Sequence, residues 1–269
     1  MSRLHLHILG SGSKGNCALI EGPQGLIMVD DGLSRRETLK RMAELGLSVD
    51  DVNALVVTHE HSDHIKGLEV WCKHWNGPVF SSRGTLTSKE SLAHLPVEEF
   101  DPGDALSIAG VHIQTYSTSH DVVNPVGYRF DAQGDSIGFA TDTGELSKHA
   151  IDTLKDCRIL ALESNHDVTM LRQGDYPRFL QERILSVKGH LSNDQAADAA
   201  RALATDRTEQ LIAMHISQDN NRPSLTVKSY ASSLDATLDN ELGSTATRVE
   251  GLHKLTIRPA GQYRPMTIQ

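Results

Sequence analysis

One stretch of the chain constrains its fold more than any other. An apolar run at 54–58, which predicts a buried strand, leads directly into His59, His61, Asp63 and His64. A loop at a strand end can turn the first two histidines toward one point, while Asp63 and His64 can face a second point from the next helix. Imidazole and carboxylate ligands suit zinc, and also manganese or iron. The stretch therefore predicts a metal site, and a solvated histidine-rich loop is the alternative interpretation.

Three further residues of metal-ligand type follow predicted strands. They are His120 after 111–118, Asp142 after 136–141 and His215 after 211–214. Each of them alone would more often be structural. Four strand ends that all carry ligand residues are hard to explain by chance, so we expect these side chains to act together.

The remaining pattern alternates strands and helices. Further strands are predicted at 4–9, 17–21, 26–30, 126–130, 158–162 and 254–258, and helices at 63–75, 192–204 and 224–238. Ser34 with Glu37, and Ser192 with Gln195, fit capping boxes at helix starts. Sheets with helices outside them indicate a layered α/β arrangement. The chain has neither a low-complexity linker nor a short-period repeat, so we expect one domain over residues 1–269.

Composition narrows the classes of function. The net charge of −9 argues against a protein that coats nucleic acid through bulk charge. It does not exclude a nuclease, because bound divalent ions would offset carboxylates where phosphates sit. Cys17, Cys72 and Cys157 lack metal-ligand spacing and predict reduced thiols, and the N-terminus lacks a long apolar stretch. We therefore expect a cytoplasmic protein with no membrane span.

The pattern His-x-His-x-Asp-His, followed later by His, Asp and His, resembles the metallo-β-lactamase superfamily. Asp30, after an apolar strand, also matches that pattern. The resemblance implies a four-layer αββα sandwich with two divalent metal ions at one edge of the sheets. It implies the following ligands: His59, His61 and His120 for the first metal, Asp63, His64 and His215 for the second, and Asp142 as a bridge. Asp30 would orient a ligand, and Asp31 is the alternative for that role.

The same resemblance implies the chemistry. A hydroxide that bridges the metals would be the nucleophile, and Asp63 would accept or hold its proton. Lactamases, thioesterases, lactonases and nucleases share this site, so the fold leaves the substrate open.

His190 distinguishes among these classes. The stretch 187–197 is similar to the Gly-His-x-Ser segment and Ala-rich helix of tRNase Z-like phosphodiesterases, in which the histidine is catalytic on the phosphate side. We expect the start of the following helix to offer free N–H groups to an anion. His190 would bind a phosphate oxygen or protonate a leaving alkoxide, and a histidine that only bonds the loop is the alternative. The long arm with which tRNase Z grips tRNA is missing.

Several segments resemble the WalJ/YycJ-type branch of the superfamily, at 10–17, 163–167, 189–193 and 215–221. This resemblance implies 5′-to-3′ exonuclease action on DNA. Within these segments the residues predicted to contact substrate are Lys14, Asn165, His166, Asn220 and Asn221, and structural roles remain the alternative for each. Two other functions stay open: hydrolysis of a thioester or lactone without use of His190, and metal binding without turnover. The sequence does not give the oligomeric state.

Overall fold

The computed structural model describes residues 3–269, which contain sixteen strands and eight α-helices. The strands are β1 His5–Gly10, β2 Cys17–Gly22, β3 Gly25–Val29, β4 Val52–Val57, β5 Val79–Ser82, β6 Val97–Phe100, β7 Ala105–Ile108, β8 Val111–Ser117, β9 Val126–Ala132, β10 Asp135–Ala140, β11 Ile159–Glu163, β12 Gln210–Met214, β13 Thr237–Leu238, β14 Ala246–Glu250, β15 His253–Pro259 and β16 Met266–Ile268. The helices are α1 Arg35–Glu44, α2 Ser62–Ile65, α3 Leu68–Cys72, α4 Lys148–Leu154, α5 Val168–Gln173, α6 Arg178–Ile184, α7 Asn193–Leu203 and α8 Pro223–Ser233.

The chain divides into two compact units. The first comprises residues up to 117, 122–135 and 261–269. Its main sheet has the order β16-β1-β2-β3-β4-β5-β6, antiparallel from β16 to β3 and parallel from β3 to β6. Strands β7, β8 and β9 of this unit form an antiparallel run. Its core is built on Leu, Val, Met and Trp side chains such as Leu55, Val57 and Trp71, none of which is exposed.

The second unit comprises residues 118–121 and 136–260. Strands β10, β11, β12 and β15 are parallel in that order, and β14 and β13 continue with antiparallel pairing. Because parallel strands end at the same edge of a sheet, the residues that follow β10, β11 and β12 lie side by side. This topology positions the functional residues of the second unit.

Both predicted helix starts are confirmed, but the capping box predicted for Ser34 and Glu37 forms only in part, because the Glu37 carboxylate accepts from Arg41. The Ser34 side chain accepts a hydrogen bond from the Glu37 amide at the start of α1. At the start of α7, Ser192 and Gln195 form a full capping box, with each side chain bonded to the other's backbone N–H.

The prediction of one helix over 63–75 is wrong. The structure has two short helices, α2 and α3, separated at Lys66 and Gly67. A Cβ atom at Gly67 would overlap the Leu33 carbonyl oxygen and come within 2.6 Å of Asp31 Oδ2. The backbone therefore approaches the loop after β3 too closely for any residue but glycine. The Gly67 N–H donates to the Asp31 carbonyl oxygen of that loop and not to a carbonyl oxygen of α2, so the helix is divided here.

Other elements escaped prediction. Helices α4, α5 and α6 are short and carry weak apolar periodicity, and the predicted helix at 224–238 ends at Ser233. No helix within residues 3–269 has the length and apolar character needed to cross a bilayer.

Candidate metal centre

In the first unit, the loop after β4 gathers its histidine rings. The His59 ring centroid lies 4.8 Å from that of His61 and 4.1 Å from that of His64. His59 and His64 are buried, with 1% and 0% of their surface exposed. His61 is the residue that precedes α2, so Asp63 and His64 fall in the first turn of that helix. The predicted donor groups of this unit therefore lie close together.

Asp30 holds His64 in place. Its Oδ2 atom lies 2.8 Å from His64 Nδ1, and Thr58 donates to the same carboxylate from its backbone N and its hydroxyl, both at 2.8 Å. An Nδ1–H that donates to Asp30 leaves the lone pair of His64 on Nε2, the arrangement of a histidine that is ready to bind metal. Asp30 itself has a φ of 59°, in the left-handed region that aspartate tolerates better than most residues.

Asp31, the alternative to Asp30, takes a different position. Its side chain accepts a hydrogen bond from Thr38 at 3.0 Å, and only its backbone N–H contacts His64, through the carbonyl oxygen. Burial raises the pKa of Asp31 to about 7, since a buried carboxylate loses its hydration. The geometry favours Asp30 for the orienting role.

Asn16 is a residue of this region to which the sequence analysis gave no role. Its side-chain N–H donates to His64 Nε2 at 3.0 Å and to Asp63 Oδ2 at 3.2 Å. It directly follows the small-residue loop at 10–15, and this position is the one feature of the sequence that could have indicated it. Lys14 of the same loop is exposed, and its backbone N–H donates to Gln262.

In the second unit, the predicted ligands again follow strands. Asp142 and His215 are buried after β10 and β12, with φ angles of 53° and 51°. Asp142 Oδ1 lies 3.5 Å from His215 Nδ1 and 3.9 Å from His120 Nε2. His120 Nδ1 is held at 3.0 Å by the Gly189 carbonyl oxygen, which leaves Nε2 as the ligand atom. Two of these predicted ligands occupy left-handed backbone, a conformation that functional sites often retain.

Glu163, at the end of β11, is a residue of this region to which the sequence pattern assigned no individual role. It is fully buried, and its Oε1 atom lies 2.8 Å from His190 Nδ1 and 3.0 Å from His215 Nδ1. Its Oε2 atom accepts from the backbone N–H groups of Thr143 and Leu191. Burial alone would raise the pKa of Glu163, but the charge of His190 and the hydrogen bonds from both histidines outweigh it and lower the pKa to about 2. One ionised carboxylate thus orients two histidines.

The donor atoms of the second unit are close enough to share an ion. One atom each from Asp142, Glu163, His190 and His215 lies within 4.8 Å of the others. Two members of this group, Glu163 and His190, are not among the predicted metal ligands. Imidazole and carboxylate donors of this kind fit a divalent metal such as zinc.

The expectation of free N–H groups at the start of α7 is wrong. The backbone N–H groups of Ser192 and Gln195 bond within the capping box, and that of Asn193 donates to the His166 carbonyl oxygen at 2.9 Å. The protein itself therefore satisfies most of the N–H groups at this helix start, and a role of His190 toward an anion stays a prediction.

Four predicted substrate contacts are buried in the second unit. Asn165 donates to the His215 carbonyl oxygen at 2.9 Å, and Asn221 donates to the carbonyl oxygens of Ser164 and Asn165 at 3.0 Å. The Asn220 carbonyl oxygen accepts from the Asp167 amide, and His166 has no exposed surface. These contacts favour a structural role for the four residues, which hold the loops after the strands in place. Their direct contact with substrate stays a prediction.

Comparison with known proteins places the chain in a family. Residues 26–216 match the model of the beta-lactamase superfamily domain. The chain is 36% identical over 236 residues to exodeoxyribonuclease YycJ of Bacillus anthracis, which covers 86% of this chain and 89% of the relative. It is 34% identical over 220 residues to exodeoxyribonuclease WalJ of Streptococcus pneumoniae, which covers 80% and 82%.

A solved structure supports the fold. The metallo-β-lactamase fold protein YhfI from Bacillus subtilis superposes with a TM-score of 0.68 over 99% of this chain and 100% of its own, at 13% identity. The predicted fold class is thereby confirmed, and this fold implies divalent metal ions. The chain belongs to the metallo-β-lactamase superfamily, in the family of the YycJ and WalJ proteins, and is a hydrolase of that fold.

Proposed function

We propose that this hydrolase is a two-metal phosphodiesterase that removes nucleotides from DNA in the 5′-to-3′ direction. The observation that carries the proposal is the pair formed by His190 and buried Glu163, with 2.8 Å between Nδ1 and Oε1. A small-molecule hydrolase that relies on metals alone would have no use for a histidine oriented in this way. The relatives named exodeoxyribonucleases are 36% and 34% identical to this chain over the aligned residues, and they support DNA as the substrate class.

We further propose the family's ligand assignment for this chain. The first metal would take His59, His61 and His120, the second Asp63, His64 and His215, and Asp142 would bridge them. Support comes from each unit separately: the ring spacing around His59 in the first, and the donor cluster around Asp142 in the second. The ions, as zinc, manganese or iron, would activate water and neutralise charge on the phosphate.

The protein's own residues would then control protons and orientation. Glu163 accepts from His190 Nδ1–H and so orients the ring. In the doubly protonated ring Nε2 carries the second proton, which His190 would donate to the departing oxygen, leaving a neutral imidazole. The side chain of His190 is 20% exposed, so this nitrogen can reach a substrate. Asp63 would hold the proton that the attacking water releases, and Asp30 would keep His64 in its ligand tautomer.

Two further expectations, on domain organisation and on cellular location, belong to the same proposal. We propose that residues 1–269 act as one metallo-β-lactamase-like domain, since the relatives match over most of their own length. We also propose a cytoplasmic location, supported by Cys17, Cys72 and Cys157, which form no disulfide among the residues described.

The test is a gel assay on end-labelled single- and double-stranded DNA and a matched RNA, with zinc- and manganese-loaded protein. Asp63→Asn and His190→Ala are compared with wild type and with His149→Ala, which changes an exposed histidine of α4. We expect stepwise shortening from the 5′ end, its loss in both site variants, and full activity in the control.

Other outcomes would contradict the proposal in different ways. Hydrolysis of a thioester or lactone with DNA and RNA intact would replace the phosphodiesterase by a small-molecule hydrolase. Full metal content without turnover on any ester would indicate a metal-binding protein. Activity retained by His190→Ala would remove the assigned role of the His190–Glu163 pair.

A further inference from the structure

A second group of ligand-type side chains lies on the first two strands, and it includes none of the seven residues of the family pattern. His5 and His7 are two apart on β1, so they project from the same face of the sheet. Glu21 on β2 is the direct cross-strand partner of His5. The alternation at 4–9 predicts only a strand, and the proposed phosphodiesterase function does not require these residues.

The atoms of this His–Glu–His group have the spacing of metal ligands. Glu21 Oε2 lies 3.0 Å from His5 Nδ1 and 3.0 Å from His7 Nε2, and one ligand atom from each residue lies within 4.8 Å of the other two. Atoms that each bind zinc at about 2.0–2.2 Å stand roughly 3.0–3.5 Å apart. A small movement toward a common centre would therefore complete three bonds to one ion.

His7 is held in the orientation that such a ligand needs. It is 3% exposed, and its Nδ1 atom lies 2.9 Å from Thr267 Oγ1 on β16. A histidine ligand that binds metal through one nitrogen is commonly fixed by a hydrogen bond at the other. Thr267 supplies this bond from a strand near the opposite end of the sequence, where β16 pairs with β1.

The protonation states also suit a cation. Burial lowers the pKa of His7, against the opposing effect of Glu21, so its imidazole is neutral at pH 7. Burial raises the pKa of Glu21, but hydrogen bonds from His7 and His5 outweigh it and lower the pKa overall. A neutral imidazole and an ionised carboxylate are the forms that bind metal.

We propose that His5, His7 and Glu21 form an additional site for a divalent cation of the zinc class. The side chains of His5 and Glu21 are 28% and 43% exposed, which gives an ion access and leaves room for water as a fourth ligand. The ion would join β1 to β2 and, through Thr267, secure β16. Its role would be structural, because bound metal stabilises the folded state that presents the ligands.

The experiment measures zinc per chain by elemental analysis after dialysis against buffered free zinc. Glu21→Gln and His5→Gln are compared with wild type and with His112→Gln, which changes an exposed histidine on β8 of the same unit. We expect each site variant to bind one zinc ion fewer than wild type and the control to bind the same number. Equal zinc content in all four proteins would overturn the proposal and leave a hydrogen-bonded group.

Further controls separate a loss of zinc at this site from misfolding and from the metal site of the proposed function. Far-UV circular dichroism checks the fold, and if Glu21→Gln fails to fold, the partly exposed His5 decides the outcome. The Asp142→Asn variant, altered only in the family site, should retain the zinc ion that Glu21→Gln loses. In wild type, zinc should slow amide hydrogen exchange in β1 and β16, whereas in Glu21→Gln it should have no such effect. If zinc slows the exchange equally in both proteins, the proposed site is refuted.

Discussion

His166 is a fully buried histidine whose two ring nitrogens have no hydrogen-bond partner among residues 3–269. Burial lowers its pKa from 6.5 to about 4, because the protonated ring would lose its hydration; the charges of Glu163 and Asp167 oppose the shift in part. The unfolded chain therefore binds a proton more readily than the folded chain between pH 6.5 and pH 4. The free energy of unfolding must fall as the pH falls through this window.

The size of the effect follows from the shift. A difference of 2.5 pKa units corresponds to about 3.4 kcal/mol in full, at about 1.36 kcal/mol per unit. Between pH 7.5 and pH 5 the linkage relation gives a loss of about 2 kcal/mol from His166 alone. Replacement of His166 by Phe keeps an aromatic ring of similar size and removes the titration, so this variant should lack that loss.

Urea unfolding at pH 7.5, 6.5, 5.5 and 5 measures the effect for wild type, His166→Phe and the exposed-site control His149→Gln. Titration of the metal ligands is common to all three proteins and cancels in the differences. We expect the variant to gain about 2 kcal/mol on wild type between the two extremes of pH and the control to run parallel to wild type. Parallel curves for His166→Phe and wild type would refute the depressed pKa and the burial argument behind it.

Two further predictions concern the first unit. Asp30→Asn keeps a residue that tolerates positive φ but weakens the hydrogen bond to His64 Nδ1. It should lower metal affinity by about 10- to 100-fold, as measured by competition with a chromophoric chelator. An unchanged affinity would exclude the orienting role of Asp30. Gly67→Ala should lower the free energy of unfolding by at least about 2 kcal/mol, because its Cβ overlaps the Leu33 carbonyl oxygen. The control Gly261→Ala, whose Cβ meets nothing closer than 3.8 Å, should change the free energy of unfolding little. Equal losses of the two variants in thermal or urea unfolding would contradict the close approach at Gly67.

Strand ends were the most informative feature of the sequence. The apolar runs before His59 and His215 became β4 and β12, and those before His120 and Asp142 became β8 and β10. Strands are recognisable because buried strands require apolar side chains over several consecutive residues. A ligand-type residue at the end of such a run is visible without any knowledge of the fold.

Glu163 carried the same signal and was still missed. It ends the apolar strand β11 and lies in the segment 163–167 that resembles the WalJ/YycJ-type branch, but a single acidic residue at a strand end is ordinary and indicates no particular role. Its significance comes from His190 and His215, which lie 27 and 52 residues away along the chain. These groups come together only in the folded chain: β11 pairs in parallel with β12, which ends next to His215, and the loop before α7 places His190 beside Glu163.

The types and local order of the candidate ligands were determined by the sequence itself, because strand periodicity, helix caps and the His-x-His-x-Asp-His spacing are local properties. Tertiary structure decided which partners these residues have. Asp30 reaches His64 across 34 residues, Glu163 orients two distant histidines, and Thr267 meets His7 from 260 residues away. Such contacts depend on strand register and chain return, which arise from the burial of many side chains at once and leave no local trace in the sequence.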